Sequence, residues 1–499
     1  MGTYLMGIDN GGSMIKCAIY DEKGNEAGVG SRRLPLIMPK PGMTERRAED
    51  VWRANVQAIR QALSNAGIRG GEIAAIGLTG YGNGACFVDA RGEAVYNCIV
   101  STDSRASGYL DRWQKDGTEA AVYRYTYQNL WAAQPAALLP WFRDHMPEVL
   151  RRAKYTLSIK DFIRAKLTGE ICAEITDASS GCLMNIKTRQ YDREIFRLLG
   201  IEEYFHMAPP FVGSTDITGR VSREAAALTG LAEGTPVAGG YFDIDAGALA
   251  SGVGDDKTLC LIAGTWSINE YITTDLESGF GKFSNTVGYL PGYYVVEDSS
   301  PTSASNFDWF VRNFAEKKGD LRHEAYLRCD DVLRQMKPED GDVLFIPYLY
   351  ASATNPNSKG AFFNLSGCHT RDHLMQAVYE GVAFSTMFHV KRLTGGDWRR
   401  YACARFSGGA SRSSVWAQMF CDVLQVPVEV LRGSEQSAMG AAMGAGMACG
   451  RFADAHDAIS AMTRVAGRYE PDRGRKALYE HKFARFEKAL DALSLFHAI

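Results

Sequence analysis

The chain has 499 residues, 46% hydrophobic and 23% charged, enough for two substantial cores. With Lys+Arg 55 against Asp+Glu 58, the formal net charge of -3 excludes a general attraction for nucleic acid or an anionic membrane. The eleven cysteines, scattered from Cys17 to Cys449 without a CxxC pair or a zinc-type spacing, read as reduced thiols of a cytoplasmic protein.

Residues 4 to 30 read as strands interrupted by a polar turn, Asn10 to Ser13, within MGIDNGGS, and by a second turn at DEKGN, 21 to 25. A helix is expected over Ala48 to Asn65, with Trp52, Val56, Ile59 and Leu63 on one face and Gly67 as its stop. IAAIGLTG (73 to 80) is a nearly continuous apolar run, as for a strand buried on both faces. In the second half, TLCLIAGTWSINEYITT (258 to 274) again sets a small polar turn between strand-like runs. Residues 370 to 390 are helical by spacing, with Thr370 as N-cap; RYACARFSGG (400 to 409) reads as a strand ending at two glycines, and Ser413 to Leu424 as a helix. The stretch 438 to 450, AMGAAMGAGMACG, is too short and glycine-rich to span a bilayer and suits a helix packed closely on a neighbour. The halves read as weakly related copies, divided into 1–248 and 249–499, and two such α/β lobes lead one to expect a ligand cleft.

The turn at Asn10, Gly11, Gly12 and Ser13 lets backbone N–H groups approach an anion, with the Ser13 hydroxyl as a donor and Lys16 adding charge. The same residues also suit a tight turn chosen only for its positive φ. Asp9 beside phosphate is repulsive unless a cation lies between, so Asp9 is expected to hold magnesium. GTWS (264 to 267) and SGGASRSS (407 to 414) are further turns of this kind, and three could hold one triphosphate and its nucleoside.

Taken together, the chain resembles the FGGY family of carbohydrate kinases from about Tyr4 to Tyr469. GIDNGGSMIK resembles its first phosphate motif, GGYFDIDAGALASG (239 to 252) its catalytic segment, AGTWS its second phosphate motif, and 407 to 428 with 435 to 446 its adenosine side. The resemblance implies an α/β fold of two actin-like (ribonuclease-H-like) ATPase domains with a central cleft, using ATP and Mg2+. Within the family the chain is most similar to the L-xylulose kinase subgroup.

For the residues, the resemblance implies Asp243 as general base, selected over Asp245 by its position nine residues before Gly252. Gly264 and Thr265 match its β- and γ-phosphate contacts, and Gly408, Gly409 and Ala410 its approach to the nucleotide, although Ala410 equally suits simple helix entry. Gly82 and Asn83 stand where relatives bind sugar; Asp103 and Arg105 either contact the sugar or brace each other; Trp131 either stacks on it or belongs to the core. Leu138 replaces a usual lysine and Asn364 a usual glycine. The substrate expected is a small ketose, L-xylulose or a related pentulose, with D-xylulose, D-ribulose, erythritol or glycerol as alternatives. An actin-like or chaperone-like ATPase without sugar is the rival from another class, and a homodimer is left open.

Overall fold

The computed structural model describes residues 3–317, 320–350, 352, 358–433 and 435–496. In chain order its main elements are β1 (Tyr4–Asn10), β2 (Met14–Tyr20), β3 (Glu26–Arg33), α1 (Ala48–Ala66), β4 (Ile73–Gly80), α2 (Ile159–Thr168), α3 (Ile175–Ser180), β5 (Ile217–Arg220), β6 (Pro236–Ala238), β7 (Tyr241–Phe242) and α4 (Asp243–Ala250). They continue with β8 (Thr258–Ala263), β9 (Ser267–Thr273), β10 (Tyr294–Ser300), α5 (Arg371–Leu393), β11 (Cys403–Ser407), α6 (Ser414–Leu424), β12 (Val428–Leu431), α7 (Gln436–Ala448), β13 (Val465–Tyr469) and α8 (Lys476–Phe496).

Two compact units result, one of residues 1–254, 272–295 and 433–463, the other of 255–271, 296–432 and 464–499. The expected single division between 248 and 249 differs from this grouping, because α7, which follows it in sequence, packs into the first unit. The cause is steric. A Cβ on Gly7 of β1 would lie 1.7 Å from the Ala438 carbonyl oxygen, and one on Gly77 of β4 would lie 1.9 Å from that of Ala441. On the helix side, a Cβ on Gly440 would lie 1.9 Å from the Ala246 carbonyl oxygen of α4. The small residues of 438 to 450 thus bring a helix backbone onto a sheet and another helix at once.

In the first unit the strand order is β5-β6-β4-β1-β2-β3, with β7 also beside β4. Strands β1, β6 and β7 each run parallel to β4, whereas β2 pairs antiparallel with β1 and with β3. The second unit contains the order β13-β12-β11-β8-β9-β10, with β8, β11 and β12 parallel and β9 antiparallel to β8. Five strands match, β6-β4-β1-β2-β3 against β12-β11-β8-β9-β10, so the two halves share this topology although their letters hardly agree; the outer strand differs, since β5 precedes β6 in the chain whereas β13 follows β12.

Helix α1 ends as expected, with Gly67 at φ 67° donating its N–H to the Ser64 carbonyl. Its buried stripe, however, centres on Ala54, Ala58 and Ala62 rather than on Trp52 and Val56. The reason is that β3 presents Gly28 and Gly30, which leave room only for small residues. Leu138 is fully enclosed in a second apolar cluster of the first unit, formed by residues between Ala85 and Met207, which accounts for an apolar residue there. Asn364 adopts φ 67°, the left-handed region that favours glycine, and Asn tolerates it while donating from Nδ2 to Asp342 Oδ2 at 2.8 Å.

Gly77→Val is expected to lower stability by at least about 2 kcal/mol, because the added atoms overpack a backbone-to-backbone contact. Urea unfolding checks this, the midpoint falling well below that of the parent. An unchanged midpoint would mean that α7 does not sit on β4 as described.

Candidate active site

The first unit gathers its polar residues at one level of its sheet. The parallel register pairs Asn10 with Gly80, and Gly80 in turn with Phe242. The residues that follow these three positions, Gly11, Tyr81 and Asp243, therefore leave the carboxyl ends of neighbouring parallel strands together. Carboxyl ends of parallel strands are where α/β folds bind ligands.

Asp9 is half-buried on β1, paired across the ladder with Lys16. A Cβ on Gly11 would lie 3.7 Å from both Asp9 carboxylate oxygens, which places that carboxylate against the glycine turn. Burial raises the Asp9 carboxyl to about 7; Lys16 pulls it down and Glu435 pushes it up. Lys16 Nζ is itself paired with Glu435 Oε2 at 2.6 Å, so the cation expected to face phosphate is shared with an acid that the sequence does not connect to it. Gly12 and Ser13 are exposed, and nothing lies within 4 Å of a Cβ on Gly12. Asn10 is 1% exposed; its Oδ1 accepts from Asn55 Nδ2 at 2.8 Å, while its own Nδ2 has no hydrogen-bond partner among the described residues.

A residue that sequence reasoning missed fixes this turn. Arg46, 2% exposed, donates from Nη1 and Nη2 to the carbonyl oxygens of Gly11 and Gly12. Tying down both carbonyls fixes the orientation of the peptide planes in the turn. Arg46 lies on the short strand Glu45–Arg46, held to Cys98–Ile99, and burial lowers its pKa without making it neutral at any ordinary pH. In sequence it stands in GMTERRAED, where two arginines among acids read as a solvated run.

The segment GGYFDID is built from close backbone contacts. A Cβ on Gly239 would meet the Gly213 carbonyl oxygen at 2.2 Å, and one on Gly240, at φ 88°, that of Leu78 at 2.1 Å. Both glycines of GGYFDID are therefore needed before β7 can run beside β4. Asp243 and Asp245 occupy the first turn of α4, whose positive end favours carboxylates. They differ in exposure: Asp245 is fully buried, whereas Asp243 is half-buried and reachable.

Behind this segment lies a cluster of charged side chains with almost no exposure. Lys160 Nζ is 2.9 Å from Asp161, 3.2 Å from Glu174 and 3.3 Å from Asp177. Burial alone would lower the Lys160 pKa, but the three carboxylates hold it above its usual value. For Asp161, burial is likewise outweighed, here by Arg164 and Lys160, and its pKa is lowered. Asp177 shows the opposite result: burial lifts it to about 6 despite Lys160.

The expected sugar-binding residues separate into two groups. Gly82 packs against the Phe242 ring, where a Cβ would meet Cε2 at 2.1 Å, so it serves as a close contact that lets the loop pass. Asn83, at φ 63°, buries Oδ1 without a hydrogen-bond partner among the described residues. Gly84 N–H donates to the Ala133 carbonyl at 2.7 Å, tying this loop to the one that carries Trp131. Trp131 is 38% exposed and touches Phe283 edge-on, which sets aside a place in the core.

Asp103 and Arg105 brace each other. Arg105 Nε donates to Asp103 Oδ1 at 2.8 Å and Nη2 to Glu45 Oε1 at 2.7 Å, both Asp103 and Arg105 having fully enclosed side chains. Direct sugar contact, expected as one reading of these two, gives way to this bracing. A cavity of about 50 Å3, its wall including Asn83, Gly84, Thr156 and Asp177, has room for water only. Of the residues expected to bind sugar, Asn83 is on its wall and Asp243 and Trp131 are not.

In the second unit the register pairs Ile262 with Ser407, so the turns after β8 and β11 leave neighbouring strand ends. Gly264 N–H donates to the Trp266 carbonyl at 3.0 Å, closing the GTWS turn, and Thr265 is exposed. Gly408, at φ 93°, sits against the Ala263 carbonyl, where a Cβ would be 2.6 Å from the oxygen, and Gly409 is exposed. Ala410 is fully buried with its methyl in the core, which favours helix entry for this residue. Ser413 caps α6 by accepting from Trp416 N–H.

Among the described residues no helix is long and apolar enough to cross a membrane, and no group of three or more His, Cys, Asp or Glu side chains is arranged to hold a metal. Residues 4–250 match the FGGY carbohydrate kinase N-terminal domain model and residues 259–449 its C-terminal domain model. The chain is 35% identical over 509 residues to the L-xylulose/3-keto-L-gulonate kinase of Escherichia coli K12, covering 100% of this chain and 99% of that one. A probable L-xylulose kinase of Haemophilus influenzae is 32% identical, with 98% and 99% covered. The crystal structure of xylulose kinase from Rhodospirillum rubrum superposes with a TM-score of 0.88 at 25% identity, covering 99% of this chain and 100% of that one. These matches set aside the ATPase without a sugar substrate: the chain belongs to the FGGY family of carbohydrate kinases and is a sugar kinase that transfers a phosphoryl group from ATP to an alcohol.

Proposed function

We propose that the acceptor is L-xylulose or a closely related pentulose and that Asp243 is the general base. The substrate reading rests on full-length similarity to proteins named as L-xylulose kinases. The base is supported by one observation above the others: of the two acids opening α4, only Asp243 is reachable, and it leaves the sheet at the level of Asn10 and Gly80.

In this mechanism Asp243 accepts the proton of the sugar hydroxyl as that oxygen attacks the γ-phosphorus, and ADP leaves. Trp131 offers an aromatic face to the sugar's C–H surface, and Asn83 contributes amide hydrogen-bonding groups. The glycine turn at 11 to 13, and Thr265, Gly408 and Gly409, supply backbone and hydroxyl donors to the nucleotide's phosphates and its approach path, while Gly264, its N–H closing the turn, lets the β- and γ-phosphates come close to Thr265. Magnesium fits the residues present, because Asp9 is a hard oxygen donor whose charge is left undercompensated, Lys16 being shared with Glu435. When bound it would offset phosphate charge. We place the reaction in the cytoplasm, where ATP is supplied and where the nine buried cysteines among the described residues would stay reduced.

The test is ADP release from MgATP across pentuloses, polyols and glycerol. L-xylulose or a close epimer is expected to stimulate turnover far above the rate without sugar. Asp243→Asn should lower kcat by about 10²- to 10⁴-fold while nucleotide binding persists. Undiminished turnover in that variant would remove the base assignment, and preference for an unrelated polyol would remove the substrate assignment.

Arg46→Met keeps the volume and removes both hydrogen bonds to the glycine turn. It is expected to raise KM for MgATP about tenfold, equivalent to about 1.4 kcal/mol, with KM for the sugar changed less than about twofold. Equal changes in both constants would mean that Arg46 does not act through the phosphate turn.

A further inference from the structure

The segment Gly239–Phe242, which delivers Asp243 to the sheet edge, is fastened from one side by the buried charged cluster. Arg164 Nη1 donates to the Gly239 carbonyl at 2.7 Å and to Asp161 Oδ1 at the same distance. Gly240 N–H donates to the Ser214 carbonyl at 2.9 Å, and the Ser214 hydroxyl donates to Glu174 Oε1 at 2.6 Å. Phe242 N–H donates to Thr176 Oγ1 at 2.9 Å, and the Thr176 hydroxyl donates in turn to Glu174 Oε2 at 2.8 Å. Three fastenings of four consecutive residues thus converge on Asp161 and Glu174, whose charges Lys160 and Arg164 balance.

One of these contacts is adjacent to the reacting group. Phe242 is the N-cap of α4 and Asp243 its first residue, so the peptide unit gripped by Thr176, Tyr241–Phe242, is separated from the base by only the Phe242–Asp243 peptide. Phe242 is 7% exposed and Thr176 fully buried, so water does not readily replace the Thr176 hydroxyl. Glu174 also caps α3, accepting from Thr176 N–H and Asp177 N–H, which holds the Thr176 backbone while its side chain points to Phe242. An outward-facing base could be carried by any turn; a base at fixed height and angle needs the chain leading into it fixed, because small misplacements at a reacting centre cost large factors in rate.

We infer that Thr176 is a positioning residue for phosphoryl transfer: its hydroxyl, oriented by Glu174, fixes the Phe242 peptide and so the carboxylate of Asp243. This rests on the reading of Asp243 as the base. Neither Thr176 nor Glu174 is expected to touch sugar or nucleotide.

The test uses the full-length enzyme with Thr176→Val, which keeps the shape and loses the hydroxyl, Thr176→Ser, which restores it, Asp243→Asn, and the Thr176→Val/Asp243→Asn pair. Thr176→Val should lower kcat about 10- to 100-fold with KM for MgATP changed less than about twofold, and Thr176→Ser should recover most of the loss. In the Asp243→Asn background the same Thr176→Val change should cost less than about twofold of the residual rate, since there is no base left to position. A Thr176→Val enzyme with parental kcat overturns the inference, as does equal loss in Val and Ser variants or a full loss repeated in the Asp243→Asn background. If Asp243→Asn itself keeps parental turnover, the base assignment fails, and that outcome is read independently of the Thr176 variants.

Discussion

In the first unit, the polar strand ends of the candidate site depend on a contact between bare backbones. Helix α7 lies on β1 and β4 where Gly7 and Gly77 leave the strand backbone bare, close enough that a methyl group on either would fall within 2 Å of a helix carbonyl oxygen. These two strands deliver Asp9, Asn10 and Gly80 to one level. The same helix meets α4 through Gly440, and α4 begins with Asp243. One helix of small residues thus sets the spacing of the elements that carry both acids, and no larger side chain could intervene without separating them.

The second constraint is electrostatic and costs stability. Lys160, Asp161, Arg164, Glu174 and Asp177 are all removed from water, and taking charges out of water is repaid only when each is paired and hydrogen-bonded. Here the repayment is nearly complete: the carboxylates accept from backbone N–H groups, hydroxyls and both cations, and Arg164 also donates to the Gly239 and Cys172 carbonyls. An apolar core of equal volume could pack as well, but it could not grip a backbone carbonyl, a backbone N–H and a hydroxyl in fixed directions. The directional demand of the Gly239–Phe242 segment is a reason for charge to be buried there.

Local pattern in the sequence revealed the turns and the strands they join, because glycine, asparagine and an apolar run are sufficient to mark them: MGIDNGGS, GTWS and SGGAS each stand at a strand end. It also showed 438 to 450 as a close-packing helix, but not that this helix belongs with the first unit, since the partners Gly7 and Gly77 lie more than 350 residues away and carry no signal of their own. The same limit hid Arg46, Glu435 and Thr176. Each looks like an ordinary surface or helix residue in its own neighbourhood, and each acquires its role from a long-range contact, such as that between Thr176 and Phe242, 66 residues apart. Asp103 and Arg105 show the reverse: two charged residues on a polar loop suggested ligand contact, and the deciding fact, Glu45 completing their pairing, came from a distant strand.

The matching strand orders of the two units make their chemical difference informative. In the first unit the strand ends carry acids, Asp9 at the close of β1 and Asp243 after β7. In the second, β8 and β11, which take the places of β1 and β4, run into Gly264, Thr265, Gly408 and Gly409 with no carboxylate among them, and β7, which leads to Asp243, has no counterpart in that sheet's order. A polyphosphate repels carboxylates unless a cation intervenes, whereas backbone N–H groups and a hydroxyl meet it without such a partner. One topology used twice can therefore serve two purposes: the copy that keeps acids beside its glycine turn suits proton acceptance and cation binding next to phosphate, and the copy with glycine and threonine at its strand ends suits phosphate without a cation between.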